Sequence, residues 1–183
     1  MNRSKYMVDK QKWMRKYKRI GELSFSLAKA QFKLRNEGTW LGIFWYLLGP
    51  LLTFFLLLRI FTDRLGQGIP HYPLYLLLGI LLFSYFQKIT TESINVIRSN
   101  AAIIKSINFP RESLIGAVVL NHLFAHVSEL IVLLVFLLVY QMPVINLLFY
   151  PLVLIPLTLF CYGFSLMLTC LGVYFSDVRN IWQ

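Results

Sequence analysis

Five polar side chains, Asn121, His122, His126, Ser128 and Glu129, interrupt the apolar run Leu114–Tyr140. Residues three and four apart share a face of a helix, so His122, His126 and Glu129 line up. Two imidazoles at that spacing beside a carboxylate are the groups that hold a divalent metal or relay protons. The same stripe suits a plainer role inside a helix bundle or at a subunit interface, each group satisfied by a neighbouring helix, and that structural role is the expected one. A carboxylate in hydrocarbon is costly, so Glu129 is expected to lie buried in protein, paired with a histidine or protonated.

Other chemistry is scarce. The chain contains no Gly-x-x-x-x-Gly-Lys phosphate loop, no Cys-x-x-Cys and no His-Glu-x-x-His; these are the patterns that cradle ATP phosphates, hold metals or serve redox exchange. No cofactor and no bound metal are expected. Cys161 and Cys170 lie roughly 13 Å apart along a helix, too far to bridge each other, and read as packing residues.

The elements that position these residues are apolar. Of 183 residues, 57% are hydrophobic and 14% charged, with a mean hydropathy of +0.63. A membrane helix needs about 20 apolar residues. Four stretches qualify: Trp40–Phe61, about Ile69–Gln87, Leu114–Tyr140 and about Ile145–Phe175. Lys88 is expected to snorkel at the end of the second. Pro151 and Pro156 offer bends in the long fourth. Aromatic residues gather near the span ends, as in interface belts.

Charge sets the expected orientation. Of the 18 Lys and Arg residues, eleven lie within residues 1–40, against the acids Asp9, Glu22 and Glu37. The connection after span one carries Arg64, the next carries Lys88, Arg98, Lys105 and Arg111, the third carries none, and the tail carries Arg179. This alternation places the N-terminus, residues 88–113 and the tail in the cytoplasm. The basic excess flanks apolar spans, so an anionic lipid surface is its expected partner and nucleic acid is not. The mostly polar residues before the first span do not read as a secretory leader.

Two organisational units follow. Residues 1–39 form a basic cytoplasmic N-terminus in which Ile20, Leu23, Leu27, Ala30 and Leu34 make one helical stripe, the pattern of a helix lying on a membrane. Residues 40–183 form the transmembrane part. Within it, residues 91–108 make a separate amphipathic cytoplasmic helix, capped by Thr90 or Thr91 and stopped by Pro110. The charged elbow Ile104–Ser113 that ends it reads either as a solvated loop or as a docking element for a soluble partner.

Three motifs carry a family resemblance. Leu41, Gly42, Trp45 and Pro50 resemble the opening of the first span in permeases of the type-2 ABC exporter family, polysaccharide-export branch. Lys105, Phe109, Pro110, Arg111 and Glu112 resemble that branch's cytoplasmic elbow, although Ile115 stands where a proline is frequent. Asp177 and Arg179 resemble the segment after the fourth span, with Ser176 in place of a common arginine.

The resemblance implies an all-α polytopic inner-membrane protein whose N-terminal interfacial helix and four spans correspond to the first part of a six-helix permease. It implies a homodimer around a channel, driven by a separate ATPase subunit that binds the ATP. The implied cargo is a lipid-linked polysaccharide such as O-antigen, capsule or teichoic acid. It assigns coupling to Lys105, Phe109, Pro110, Arg111 and Glu112. Trp45, Tyr46 and Phe54 are candidate channel-lining aromatics, since sugars stack on aromatic faces. Other readings are an ABC exporter of drugs or other lipids, a four-span scaffold without transport, and a proton- or metal-coupled carrier using the histidines.

Overall fold

The computed structural model describes the backbone of residues 3–36, 44–65, 68–106, 108–175 and 177–182, and the side chains of residues 13–34, 47–62, 68–106, 108–145, 147–175 and 177–182. The elements are α1 (Arg3–Asn36), α2 (Phe44–Leu65), α3 (Tyr72–Ser99), α4 (Ala101–Ser106), α5 (Glu112–Val139), a 3₁₀ segment (Val144–Phe149), α6 (Tyr150–Tyr174) and α7 (Val178–Trp182). No strand occurs among the described residues. The protein is an all-α polytopic membrane protein. Tyr72–Ser99, Glu112–Val139 and Leu147–Tyr174 are each long and apolar enough to cross a bilayer, and the described side chains of α2, Leu47–Thr62, form a further apolar stretch. Residues 40–43, where the first span was expected to open, lie outside the described residues.

α3 departs from the sequence reading. It runs unbroken through Gln87, Lys88 and Thr90 to Ser99, so no separate helix begins at residue 91. Thr90 caps nothing: it is buried, and its Oγ1 lies 2.9 Å from the Phe86 carbonyl and 3.1 Å from that of Gln87. Polar residues end a helix when they compete for its backbone groups; here Lys88, Thr90 and Glu92 have partners compatible with the helix. The break falls at Asn100, whose Nδ2 donates to Val96 O at 2.8 Å. The six-residue α4 follows, and α5 starts at Glu112, an acid in the first turn where the helix dipole favours it.

In α1 the buried side chains are Ser24 and Ala28. Of the apolar stripe, Ile20, Leu23 and Leu27 are half-buried, and Ala30 and Leu34 are exposed. α1 packs closely on α5. Ser24 Oγ lies 3.1 Å from Ser113 O, and a Cβ at Gly116 would collide with Ser24. Small residues let two backbones approach. Phe25 and Phe32 then flank Phe124 edge-on, with centroids 6.2 and 6.1 Å away.

The fourth span opens with the 3₁₀ segment, after which Pro151 sits in the first turn of α6, a position that needs no N–H, and Pro156 lies inside the helix. Gln141 adopts a left-handed conformation (φ 54°) at the turn leading into it.

The helix ends sort into two groups. At one end the His71 ring lies edge-on to Tyr140, 6.0 Å away. This joins the connection before α3 to the one after α5. At the other end α1 meets the elbow, Lys16 Nζ 3.5 Å from Glu112, and α7 packs on α3, Trp182 Nε1 donating to Thr90 Oγ1 at 3.0 Å. The basic segments thus share an end, the grouping that the charge alternation requires.

Candidate functional site

The polar stripe of α5 faces inward. Asn121, His122, His126 and Glu129 are all buried, Glu129 at 2% exposure and His126 at 1%. Glu129 Oε2 lies 2.6 Å from His126 Nδ1, and Oε1 lies 2.6 Å from Lys88 Nζ on α3. His126 Nε2 lies 2.6 Å from the Tyr150 hydroxyl, in the first residue of α6. The four groups form one chain through three helices. With Nδ1–H donating to Glu129 and Nε2 accepting the tyrosine O–H, both ring nitrogens of His126 have a partner. Lys88 and Glu129 are oppositely charged side chains in direct contact. Of the two outcomes expected for Glu129, pairing with a histidine is the one observed.

Lys88 does not snorkel. It turns inward to the carboxylate, with 30% of its side chain exposed. A bare ammonium would seek water, but a carboxylate already held by His126 offers a charge-assisted bond close by. Tyr85 completes the surroundings, its ring 4.8 Å from that of His126 and its hydroxyl 3.1 Å from Thr158 Oγ1 of α6.

His122 has a different partner. Its Nε2 lies 2.8 Å from Glu92 Oε2 on α3. The two histidines therefore serve separate contacts. Among the described residues no group of three or more His, Cys, Asp and Glu side chains is arranged to hold a metal ion. Asn121 Oδ1 is buried with no protein partner, and Ser128 Oγ bonds back to Ala125 O. Cys161 is buried and Cys170 exposed, both free thiols.

Sequence reasoning missed Lys88, Glu92 and Tyr150 as partners. The available signal was charge: a lysine and a glutamate beside an apolar span each call for a counter-group. Tyr150 gave none, because a tyrosine near a span end reads equally well as an interface residue.

The elbow divides by exposure. Phe109 is half-buried and packs on the cluster of Val96, Leu114, Ile115 and Val118, together with Leu27 of α1 and Ile104. Pro110 is half-buried, and Glu112 pairs with Lys16. Lys105 and Arg111 are exposed. The structure thus anchors the elbow through Phe109 and leaves two cations at its surface.

Among the aromatic candidates, Phe54 needs correction. It is wholly buried, edge-on to Phe136 of α5 with centroids 5.2 Å apart, and belongs to the core of Leu77, Ile80, Leu81 and Leu133. A side chain enclosed by its own helix bundle has no face for a channel. The side chains of Trp45 and Tyr46 lie outside the described residues.

Comparison with known proteins meets the same resemblance as the motifs. The chain is similar to O-antigen export permeases. It is 27% identical over 160 residues to the O-antigen export system permease protein RfbA of Myxococcus xanthus, and 28% identical over 161 residues to two proteins of that name from Klebsiella pneumoniae. Each match covers 87% of this chain and 62% of the relative, so the chain spans less than two thirds of their length. No protein-family profile matches it.

Proposed function

We propose that this chain is the permease part of an ABC exporter that moves a lipid-linked polysaccharide of the O-antigen class across the bacterial inner membrane. The observation that carries the reading is the similarity to O-antigen export permeases over 87% of the chain, in a fold of apolar helices. The motif at the elbow adds to it: an anchored turn bearing the exposed cations Lys105 and Arg111 suits docking to a soluble ATPase. In this reading ATP is bound by that partner, two copies of the permease enclose the path, and the N-terminus, elbow and tail face the cytoplasm. The exposed Trp13, Met14 and Tyr17 of α1 lie among basic residues, which suits anionic lipid headgroups. The relatives are O-antigen export permeases, which favours this cargo over drugs or other lipids, and over a scaffold without transport.

The test is deletion of the gene. Surface polysaccharide should disappear from gels of the envelope while lipid-linked glycan accumulates inside the cell. Unaltered surface glycan without internal accumulation would overturn the assignment.

A further inference from the structure

The bonds that join the helices differ in kind. α3, α5 and α6 are tied by directional contacts between polar groups. The chain from Lys88 through Glu129 and His126 to Tyr150 crosses all three. Towards the elbow, Thr169 Oγ1 donates to Ser93 O at 2.9 Å. One turn further along α6, Gly172 lets the helix meet α3 so closely that a Cβ would stand 2.8 Å from Ile94 O. Tyr85 and Thr158 add another link between α3 and α6.

α2 is held differently. Its described hydroxyls turn back on their own helix, Thr53 to Gly49 O at 3.1 Å and Thr62 to Leu58 O. It meets the bundle through Phe54, Leu57 and Leu58, which are apolar. Apolar contact is non-directional, and among the described side chains of α2 it is what meets the bundle, so it resists sliding less than directional polar bonds do. A helix seated by buried charges is held more firmly. Rotating α5 would part Glu129 from Lys88 and His126 from the Tyr150 hydroxyl, and each loss costs far more than a shifted methyl contact.

We propose that α3, α5 and α6 are one rigid body locked by the Lys88–Glu129–His126–Tyr150 chain, and that α2 is the helix that moves against it during transport. The inference rests on the export reading above. Lys88, His126 and Tyr150 are positioning residues here, and none of them touches cargo.

The experiment uses the exporter assembled with its ATPase in cells, with Cys161 and Cys170 replaced by alanine. One variant carries Ser93→Cys and Thr169→Cys, joining α3 to α6. Another carries Phe54→Cys and Phe136→Cys, joining α2 to α5. Each is linked with a short cleavable bismaleimide, and surface polysaccharide is followed before linking, after linking and after cleavage. The α3–α6 link should leave delivery unchanged, and the α2–α5 link should abolish it until cleavage restores it. A reversible loss with the α3–α6 link, or unimpaired delivery with the α2–α5 link, overturns the proposal. Hydrogen exchange needs no cysteines and gives a second readout: Glu129→Gln should speed exchange in α3, α5 and α6 together and leave α2 unchanged. Faster exchange confined to α5 overturns the lock. Failure of the export reading looks different, because deletion of the gene would then leave surface polysaccharide intact.

Discussion

Glu129 holds His126 with one carboxylate oxygen and Lys88 with the other, both at 2.6 Å, so a single buried side chain joins its own helix to α3. Removing one partner of such a pair is far worse than removing both, because the survivor keeps its desolvation cost and loses its compensation.

Glu129→Leu alone should therefore destabilise the protein by about 3–5 kcal/mol. Lys88→Met combined with Glu129→Leu should recover the part of that loss due to the stranded ammonium, while the buried His126 Nδ1 still lacks its acceptor. Thermal aggregation of the purified protein in detergent measures both. A double variant no better than the single one would show that the pair is not the source of the cost.

Helix spacing makes a contrasting pair of glycines. Gly172→Ala places a methyl against the Ile94 carbonyl and should cost about 1–3 kcal/mol by overpacking. Gly163→Ala, on the same helix with no atom within 4 Å, should stabilise by about 0.5–1 kcal/mol. The same melting assay separates them, and equal effects would mean that α6 does not approach α3 so closely.

Ser24→Leu should lift α1 from α5, since Gly116 leaves no room for a larger side chain. Limited proteolysis in native membranes should then cut within α1 where the parent protein resists. Resistance in both would place the α1 contact elsewhere.

At the elbow, stability and coupling should part. Glu112→Ala removes an exposed pair with Lys16 and should alter stability by less than about 1 kcal/mol. Arg111→Glu reverses an exposed charge and should weaken the permease's hold on its ATPase about tenfold, while insertion stays normal. Phe109→Ala opens the cluster under the elbow and should lower both. Co-purification of the ATPase with each variant is the measurement. Wild-type recovery with Arg111→Glu would remove the elbow from the interface.

The apolar spans and their alternation of charge were legible because length and hydropathy are local properties. What escaped was pairing at a distance. Lys88 and Glu129 are separated by 41 positions, so a sequence shows two costly residues without showing that each is the other's remedy. Reading Thr90 as a cap followed from the same blindness: a polar run looks like a boundary until its partners are seen. The close contact of α1 with α5 gave no signal, because stripe counting rewards large apolar residues, whereas this contact turns on Ser24, Ala28 and Gly116. Phe54 was a candidate lining residue by type alone, and aromaticity does not distinguish a channel wall from a core.

The separation of Lys88 and Glu129 also bears on biogenesis. A lone charge at the centre of a span costs about 2.5–3.5 kcal/mol to insert. Lys88 emerges from the ribosome first, with only Glu92 of its own helix as a nearby acid, and Glu129 emerges after the elbow has been made. The second and third spans should therefore leave the translocon as a hairpin, each neutralising the other on the way into lipid, and a ribosome stalled between them should hold α3 at the translocon.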